Sequence, residues 1–341
     1  MDKQSLIGFD ISELKEICIS NNFPSYHGEQ LFSWIYKKSI TNTEHMTNVP
    51  NELKSIIKEK FKQNNLKIKN TFYSKIDDTI KFLVETSDNN LIESVSMIDK
   101  GRHTVCISSQ IGCSVDCSFC ETGKMGIIRN LSCGEIIEQL ILVNSIRDEK
   151  ITNVVFMGMG EPFLNYDNVI KSCYILHNQN GFGLSSKKIT ISTSGILPKI
   201  DKYINEKHKF KLAISLNASN NDSRNQLIPI NKKWPIEKLL ESLKQYKYSK
   251  YRPLMFEYIL IEDINDSQKN AKELGLLLKN INCKINIIPY NQTSSNYQRS
   301  NNIDTFIEYL NQYKFKNRVF IRWSKGQDIN AACGQLVTEN G

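Results

Sequence analysis

The chain has 341 residues, 40% hydrophobic and 23% charged, the composition of an ordinary globular protein with room for one large core and a small accessory unit. Its 44 Lys+Arg against 36 Asp+Glu leave a charge of +8, which permits a polyanionic partner without demanding one. No stretch approaches the roughly 20 apolar residues of a membrane-spanning helix, and MDKQSLIGFDISELKEIC holds no apolar run of signal-peptide length. A cytoplasmic protein without membrane contact is expected. Nine cysteines cannot all pair, and clustered thiols in a reducing compartment point to metal ligands or catalytic groups.

In chain order, residues 1–66 are expected to be helical. Asp10 followed by Glu13 has the form of a capping box for a helix with Leu14, Ile17 and Cys18 on one face. GEQLFSWIYKK predicts a second helix. PNELKSIIKEKF predicts a third, with Leu53, Ile56, Ile57 and Phe61 at helical spacing. Over 67–100 the period changes. TIKFLVET and LIESVSMI, joined by SDNN, predict a small antiparallel unit. Residues 101–341 then alternate. HTVCISS, TNVVFMGMG, KKITISTSG, FKLAISLNA, LMFEYILIE and CKINIIPYN read as strands. GEIIEQLILVNSIR, YDNVIKSCYILHNQ, LPKIDKYINEK, PIEKLLESLKQYK, SQKNAKELGLLLKN and IDTFIEYLNQYK read as the helices between and after them, with RVFIRWS as a last strand. Six βα units predict an α/β fold, an incomplete parallel (β/α)6 TIM-type barrel with its site at the strand C-termini.

Cys113, Cys117 and Cys120 follow the first strand of this series with spacing C-x3-C-x2-C and an aromatic before the last. Iron–sulfur clusters and structural zinc both usually take four protein ligands, and Cys133 lies behind a helix start. Two chemistries fit. One is a [4Fe–4S] cluster with one iron left open for a small molecule, which the place after the first strand favours. The other is zinc with a fourth ligand from a distant Cys or His. Gly158 and Gly160 end the second strand, where glycine lets backbone approach a ligand, and Glu161 can accept from an ammonium group. Ser192, Ser215, Leu216, Asn217 and Asn291 stand at later strand ends, as ligand contacts or plain caps. Cys106 lies on the first strand. Cys333 lies among Ala331, Ala332 and Gly334, in a thin loop whose thiol can reach a site. A cysteine thiolate is the side chain best suited to take a methyl from a sulfonium.

CxxxCxFC after a first barrel strand resembles the radical S-adenosylmethionine (SAM) enzymes. That likeness implies that SAM chelates the open iron and that the reduced cluster cleaves it to a 5′-deoxyadenosyl radical. GMGEP resembles the element that meets the SAM amino group. CISSQIGCSVDCSFCETGKMG, RNLSCGEIIEQ, MGMGEPFLNYDNV, LIPINKKWPIEKLL and GQDINAACGQL together resemble the RlmN/Cfr family of radical SAM RNA methyltransferases, over essentially the whole chain. The resemblance implies two SAM molecules per turnover. Cys333 would take a methyl from the first. The radical from the second would remove hydrogen from that methyl, and the carbon radical would add to adenine. Glu93 would accept the ring proton, and Cys106 would attack the Cys333 sulfur and leave a transient disulfide.

One branch of the family methylates carbon 2 of adenosine in 23S rRNA and tRNA; the Cfr branch methylates carbon 8 of an rRNA adenosine. GEPFLNYDNV and ETGKMG are closer to the carbon-2 branch. Lys325, Gln327, Asn217 and Glu121 depart from its usual residues. An electron donor such as flavodoxin or ferredoxin and a monomeric state are also implied. Lys37, Lys38, Lys58, Lys60, Lys62, Arg318 and Arg322 can meet RNA phosphates or form a solvated face. A reading from another class is an iron–sulfur or zinc RNA-binding protein without methyl transfer.

Overall fold

Three helices open the chain in the computed structural model, which describes residues 3–246, 253–313 and 318–337. α1 (Ile11–Ser20) starts at Asp10. The Asp10 carboxylate accepts from the N–H groups of Ser12 and Glu13, and Glu13 accepts from the Asp10 N–H, so the expected capping box is complete. α2 (Tyr26–Phe32) runs into a π turn over Ser33–Lys37. The helix expected over GEQLFSWIYKK is therefore widened in its last turn, which leaves Trp34, Ile35 and Tyr36 all buried. α3 (Asn51–Lys60) buries Leu53 and Ile57.

The segment after these helices differs from expectation. It holds three antiparallel strands, β1 (Leu66–Tyr73), β2 (Thr79–Thr86) and β3 (Leu91–Asp99). β1 escaped notice because it is an edge strand whose lysines break the alternation, charges that suit an edge. Nor does the unit stand apart. Lys100 and Gly101, both at positive φ, make a two-residue turn into β4 (Arg102–Cys106), which pairs with β3 so that Cys106 lies opposite Val95.

From β4 the chain makes a small hairpin, β5 (Gln110–Gly112) with β6 (Ile127–Asn130), enclosing the short helix α4 (Glu121–Lys124). α5 (Cys133–Asn144) follows, capped by a Ser132–Glu135 box. The alternation then runs β7 (Asn153–Phe156), α6 (Tyr166–His177), β8 (Ile189–Thr193), α7 (Leu197–Asn205), β9 (Lys211–Ser215), α8 (Asn221–Leu227), α9 (Ile236–Lys244), β10 (Leu254–Leu260), α10 (Gln268–Leu278), β11 (Cys283–Pro289), α11 (Ile303–Asn311) and β12 (Val319–Ile321). Lys247, Lys314 and the last four residues, included in the expected elements, lie outside the described residues.

One sheet contains every strand except β5 and β6, in the order β1-β2-β3-β4-β7-β8-β9-β10-β11-β12, parallel from β4 onward. Its edges are β1 and β12, so the expected barrel stays open. All residues of β7 and β8 are buried, as strands covered on both faces must be. Among the described residues no helix is long and apolar enough to cross a membrane.

The N-terminal helices dock on α5 through a close backbone crossing. Gly8 has φ +104°, and a Cβ there would lie 2.5 Å from the Gly134 nitrogen. The Tyr36 hydroxyl accepts from the Gly8 N–H at 2.9 Å and donates to the Phe9 carbonyl at 2.8 Å. Glu138 on α5 accepts from the N–H groups of Asn65 and Leu66, and burial pushes its carboxyl up to about 7. Gly8→Ala combines backbone strain with a clash. It should lower the unfolding free energy by at least about 1 kcal/mol, read as a lower urea midpoint.

Candidate active site

The cysteine loop folds its apolar side chains under itself. Val115 and Phe119 are buried against Ile228, Ile259, Ile288 and Tyr290, with the three cysteines packed against this satellite core. Backbone bonds fix the turns. Cys113 N–H donates to the Gly126 carbonyl at 2.8 Å, Cys120 N–H to Cys117 at 3.0 Å, and Ser118 N–H to Leu227 at 3.1 Å. The outcome is that Cys113, Cys117 and Cys120 line one cavity of about 790 Å³ at the strand C-termini, with Glu161, Ser192, Ser215, Asn217, Glu257 and Cys333.

The chemistry of this donor set fits a metal centre. Burial pushes the Cys113 thiol up to about 12 and raises Cys117 and Cys120, and the negative charges of neighbouring thiolates add to this for Cys113 and Cys117. Three thiolates together therefore need a cation. Among the described residues no three His, Cys, Asp or Glu side chains converge closely enough to share a single ion. Three soft thiolates on one loop suit a [4Fe–4S] cluster, or zinc with a further ligand.

The glycines of the second barrel strand make a close crossing. A Cβ at Gly158 would lie 2.7 Å from the Ile107 carbonyl carbon, and Gly160 has φ +95° with its Cβ position 2.5 Å from Gln110 Cβ. Glu161 is thereby turned into the cavity wall. Its carboxylate accepts from Phe163 N–H (2.9 Å), Ser194 N–H (2.7 Å) and Ser194 Oγ (2.8 Å). Burial raises its pKa, and those donors oppose the shift.

The later strand ends divide. Ser192 donates to Glu257 at 2.8 Å and lies 3.3 Å from Ser215. Asn217 sits in the left-handed region at φ 54°, a conformation Asn tolerates, and its Oδ1 accepts from the Ile259 N–H at 2.9 Å. Leu216 does not line the cavity. Its side chain is in the core, and only its backbone serves the site, by accepting from Arg224 at 3.0 Å. Asn291 also lies off the cavity. Its Nδ2 donates to the Cys333 carbonyl at 3.1 Å, and its buried Oδ1 has no hydrogen-bond partner in the protein.

Cys333 sits in a segment, 326–337, stretched across the barrel mouth. Asp77 accepts from the Gly326 N–H at 3.0 Å, and Asp328 accepts from Ser74 Oγ and Lys75 N–H, both at 2.7 Å. Gly334 and Leu336 carbonyls accept from Glu121 N–H (2.8 Å) and Thr122 Oγ1 (2.6 Å). Glu121, one of the departures, also accepts from Ser294 and Lys124. The far side of this segment lines a second cavity of about 1060 Å³, which contains Glu93, Lys81 and Phe72. Glu93 is paired with Lys81 at 2.8 Å and accepts from the Val337 N–H at 3.0 Å.

Cys106 ends β4, buried, with its thiol pushed up to about 12 by burial and further by the Cys333 charge. All nine cysteines are free, Cys106 and Cys333 among them. The cation that lowers both thiols is Arg322. This corrects the expectation of a phosphate contact for Arg322: its Nη1 lies 3.1 Å from Met157 Sδ and 3.4 Å from Glu257 Oε1, facing the barrel interior. Lys58 pairs with Glu44, and Lys38 lies over the Trp34 ring.

Sequence reasoning missed three groups. Glu257, an acid inside the apolar run LMFEYIL, carried a visible signal. Ser194 and Arg224 carried none. Arg224 is fully buried and donates to the Leu216, Ser215 and Ser194 carbonyls and to Asn231 Oδ1.

An open parallel barrel with three thiols and a polar ring at its strand ends defines the radical SAM class. The family described as the Radical SAM superfamily matches residues 107–274, and the ribosomal RNA large subunit methyltransferase N-terminal domain matches residues 4–62. The crystal structure of a radical SAM methyltransferase from Sphaerobacter thermophilus superposes with a TM-score of 0.91 at 36% identity, covering 98% of this chain and 100% of that one. The probable dual-specificity RNA methyltransferase RlmN of Spiroplasma citri is 41% identical over 340 residues, 98% of each chain. The dual-specificity RNA methyltransferase RlmN of Nautilia profundicola is 39% identical over 353 residues, again 98% of each. The chain belongs to the RlmN family of radical SAM RNA methyltransferases, whose superfamily works with a [4Fe–4S] cluster and SAM.

Arg224→Met would strip a cation from several buried carbonyls at once. It should cost about 3 kcal/mol or more in urea unfolding, and calorimetry of the cluster-loaded protein should show SAM binding weakened at least about tenfold.

Proposed function

We propose that this chain methylates carbon 2 of an adenosine in 23S rRNA and in tRNA through an S-methylated Cys333. The observation that carries the reading is the position of the Cys333 segment. Cys333 lines the cavity of the three thiols, and Asn330, Gln335 and Val337 of the same segment line the cavity of Glu93, so the segment stands between the two. The names of the curated relatives support the pair of RNA substrates. GEPFLNYDNV and ETGKMG support carbon 2 over carbon 8. Cys113, Cys117 and Cys120 would hold the cluster with one iron left for SAM, and Glu161, Ser192, Ser215 and Asn217 would line the SAM site. The bound cluster and SAM would supply a 5′-deoxyadenosyl radical.

The remaining work falls to the chain. Cys333 must lose its proton to take the methyl of a first SAM, with S-adenosylhomocysteine as the leaving group; burial opposes that loss and the Arg322 cation favours it. The target base must leave its stack to enter the Glu93 cavity, which the aromatic Phe72 lines. Glu93 takes the ring proton. As the product leaves, the Cys106 thiolate attacks the Cys333 sulfur: an S–S bond forms, the bond from that sulfur to the transferred carbon breaks, and that carbon takes up a proton; a thiol-class reductant then reopens the disulfide, and a second SAM completes each turnover. A flavodoxin- or ferredoxin-type electron donor, a monomer and a cytoplasmic setting belong to the same reading.

The test is anaerobic. Reconstituted protein, SAM, reductant and unmodified RNA are incubated, and the digested RNA is analysed by mass spectrometry. 2-Methyladenosine in rRNA and tRNA is expected. 8-Methyladenosine confined to rRNA would place the chain in the other branch, and SAM left uncleaved by an iron-loaded protein would end the enzymatic reading. Cys333→Ala should form no methylated base, whereas Cys106→Ala should leave RNA covalently bound to protein on a denaturing gel. Methylation by Cys333→Ala would exclude the methyl-cysteine route.

A further inference from the structure

Glu93 and Lys81 form an enclosed ion pair, with side chains only 3% and 10% exposed. Their strands are neighbours. Glu93 on β3 lies opposite Leu83, and Lys81 on β2 lies opposite Val95, so the two are diagonal partners on one face of the sheet. The pair also reaches both ends of the Cys333 segment. Lys81 Nζ lies 3.5 Å from the Asn330 carbonyl, and Glu93 Oε2 accepts from the Val337 N–H at 3.0 Å. Asn330 and Val337 stand on either side of Cys333.

We propose that Lys81 is a positioning residue: it keeps Glu93 ionised and aimed into its cavity, and it ties the charge of that carboxylate to the Cys333 segment. The inference rests on the reading of Glu93 as the ring-proton acceptor. A carboxylate so desolvated tends to hold a proton, and a proton-bearing acid cannot act as a base. A cation at 2.8 Å reverses that tendency. The other charged group of the cavity is Glu121, on the cysteine loop, where Lys124 meets it at 3.2 Å; the remaining lining groups are uncharged. The step served is a proton transfer. The C–H bond of the base breaks, its electron pair stays on the ring, and the proton ends on a Glu93 oxygen. Neutral Glu93 attracts Lys81 and the Val337 N–H less strongly. The Val337 end of the Cys333 segment therefore loosens at the stage when product must leave.

The experiment uses the reconstituted full chain, SAM, reductant and an unmodified rRNA transcript, and follows methylated adenosine and RNA-linked protein against pH. In Lys81→Met the Glu93 pKa rises, so the acidic limb of the profile should move up by about 1–3 pH units. Methylation at pH 7 should fall at least about tenfold and return as pH is raised, with RNA-linked protein building up at the lower pH. Lys81→Arg should keep a profile close to the parent's. If Lys81→Met does not fold, Lys81→Gln takes its place. A Lys81→Met profile parallel to the parent's at every pH overturns the proposal, as does a loss that high pH does not restore. Glu93→Gln separates the two levels. Parental methylation by Glu93→Gln removes the proton-acceptor reading, whereas an inactive Glu93→Gln beside an unshifted Lys81→Met removes only the role of Lys81.

Discussion

The barrel mouth depends on one buried cation. Arg224 on α8 reaches across to the carbonyls of Ser194, Ser215 and Leu216, the last at 3.0 Å, joining the ends of β8 and β9. Strand ends in a parallel barrel leave carbonyls pointing at the site, and each needs a donor. One planar guanidinium serves several of them at fixed angles, which a lysine could not. Arg224 keeps this place although burial lowers its pKa to about 10; the nearby Cys117 thiolate works in the opposite direction. The same ring of strand ends holds Ser192, Ser215 and Asn217 at the cavity wall. A fault at Arg224 would therefore reach both the cavity wall and the cysteine loop.

The second organising feature is the segment of Cys333. It makes almost no regular structure of its own, beyond one short turn at Gln327–Ile329. Its order comes from outside: Asp77 and Ser74 on the β1–β2 hairpin, Glu93 on β3, Glu121 and Thr122 on the cysteine loop, and Asn291 beyond β11. The accessory strands are therefore part of the active site. Continuity of the sheet through β3 and β4 lets the β1–β2 hairpin hold the segment that carries Cys333. Glycines or Asn at positive φ (Gly326, Asn330 and Gly334) allow the segment its sharp turns.

Local chemistry was legible where residues close in sequence act together. The C-x3-C-x2-C spacing, the Asp10 capping box and the βα alternation each depend on neighbours a few residues apart. Groups that act across the fold were not. Arg224 reads as a polar residue on a short helix, Lys81 as an ordinary strand lysine and Arg322 as a surface charge. Each owes its role to a partner at least seven positions away, and Arg224 and Lys81 also to burial. Asn291 and Leu216 were placed at the right strand ends, but there the structure turned them to backbone duties around Cys333 and Arg224.

The sequence by itself determined the chemistry available: three thiols on one loop, two more on a strand and a tail segment, a glycine-rich strand end, and an open αβ alternation to carry them. Those follow from covalent spacing and from the periods of strand and helix. Only the tertiary structure decided that the Cys333 segment lies between two cavities, that the small antiparallel unit continues the barrel sheet, and that Lys81 stands beside Glu93. These depend on strand register and on desolvation, and both exist only after distant segments have packed.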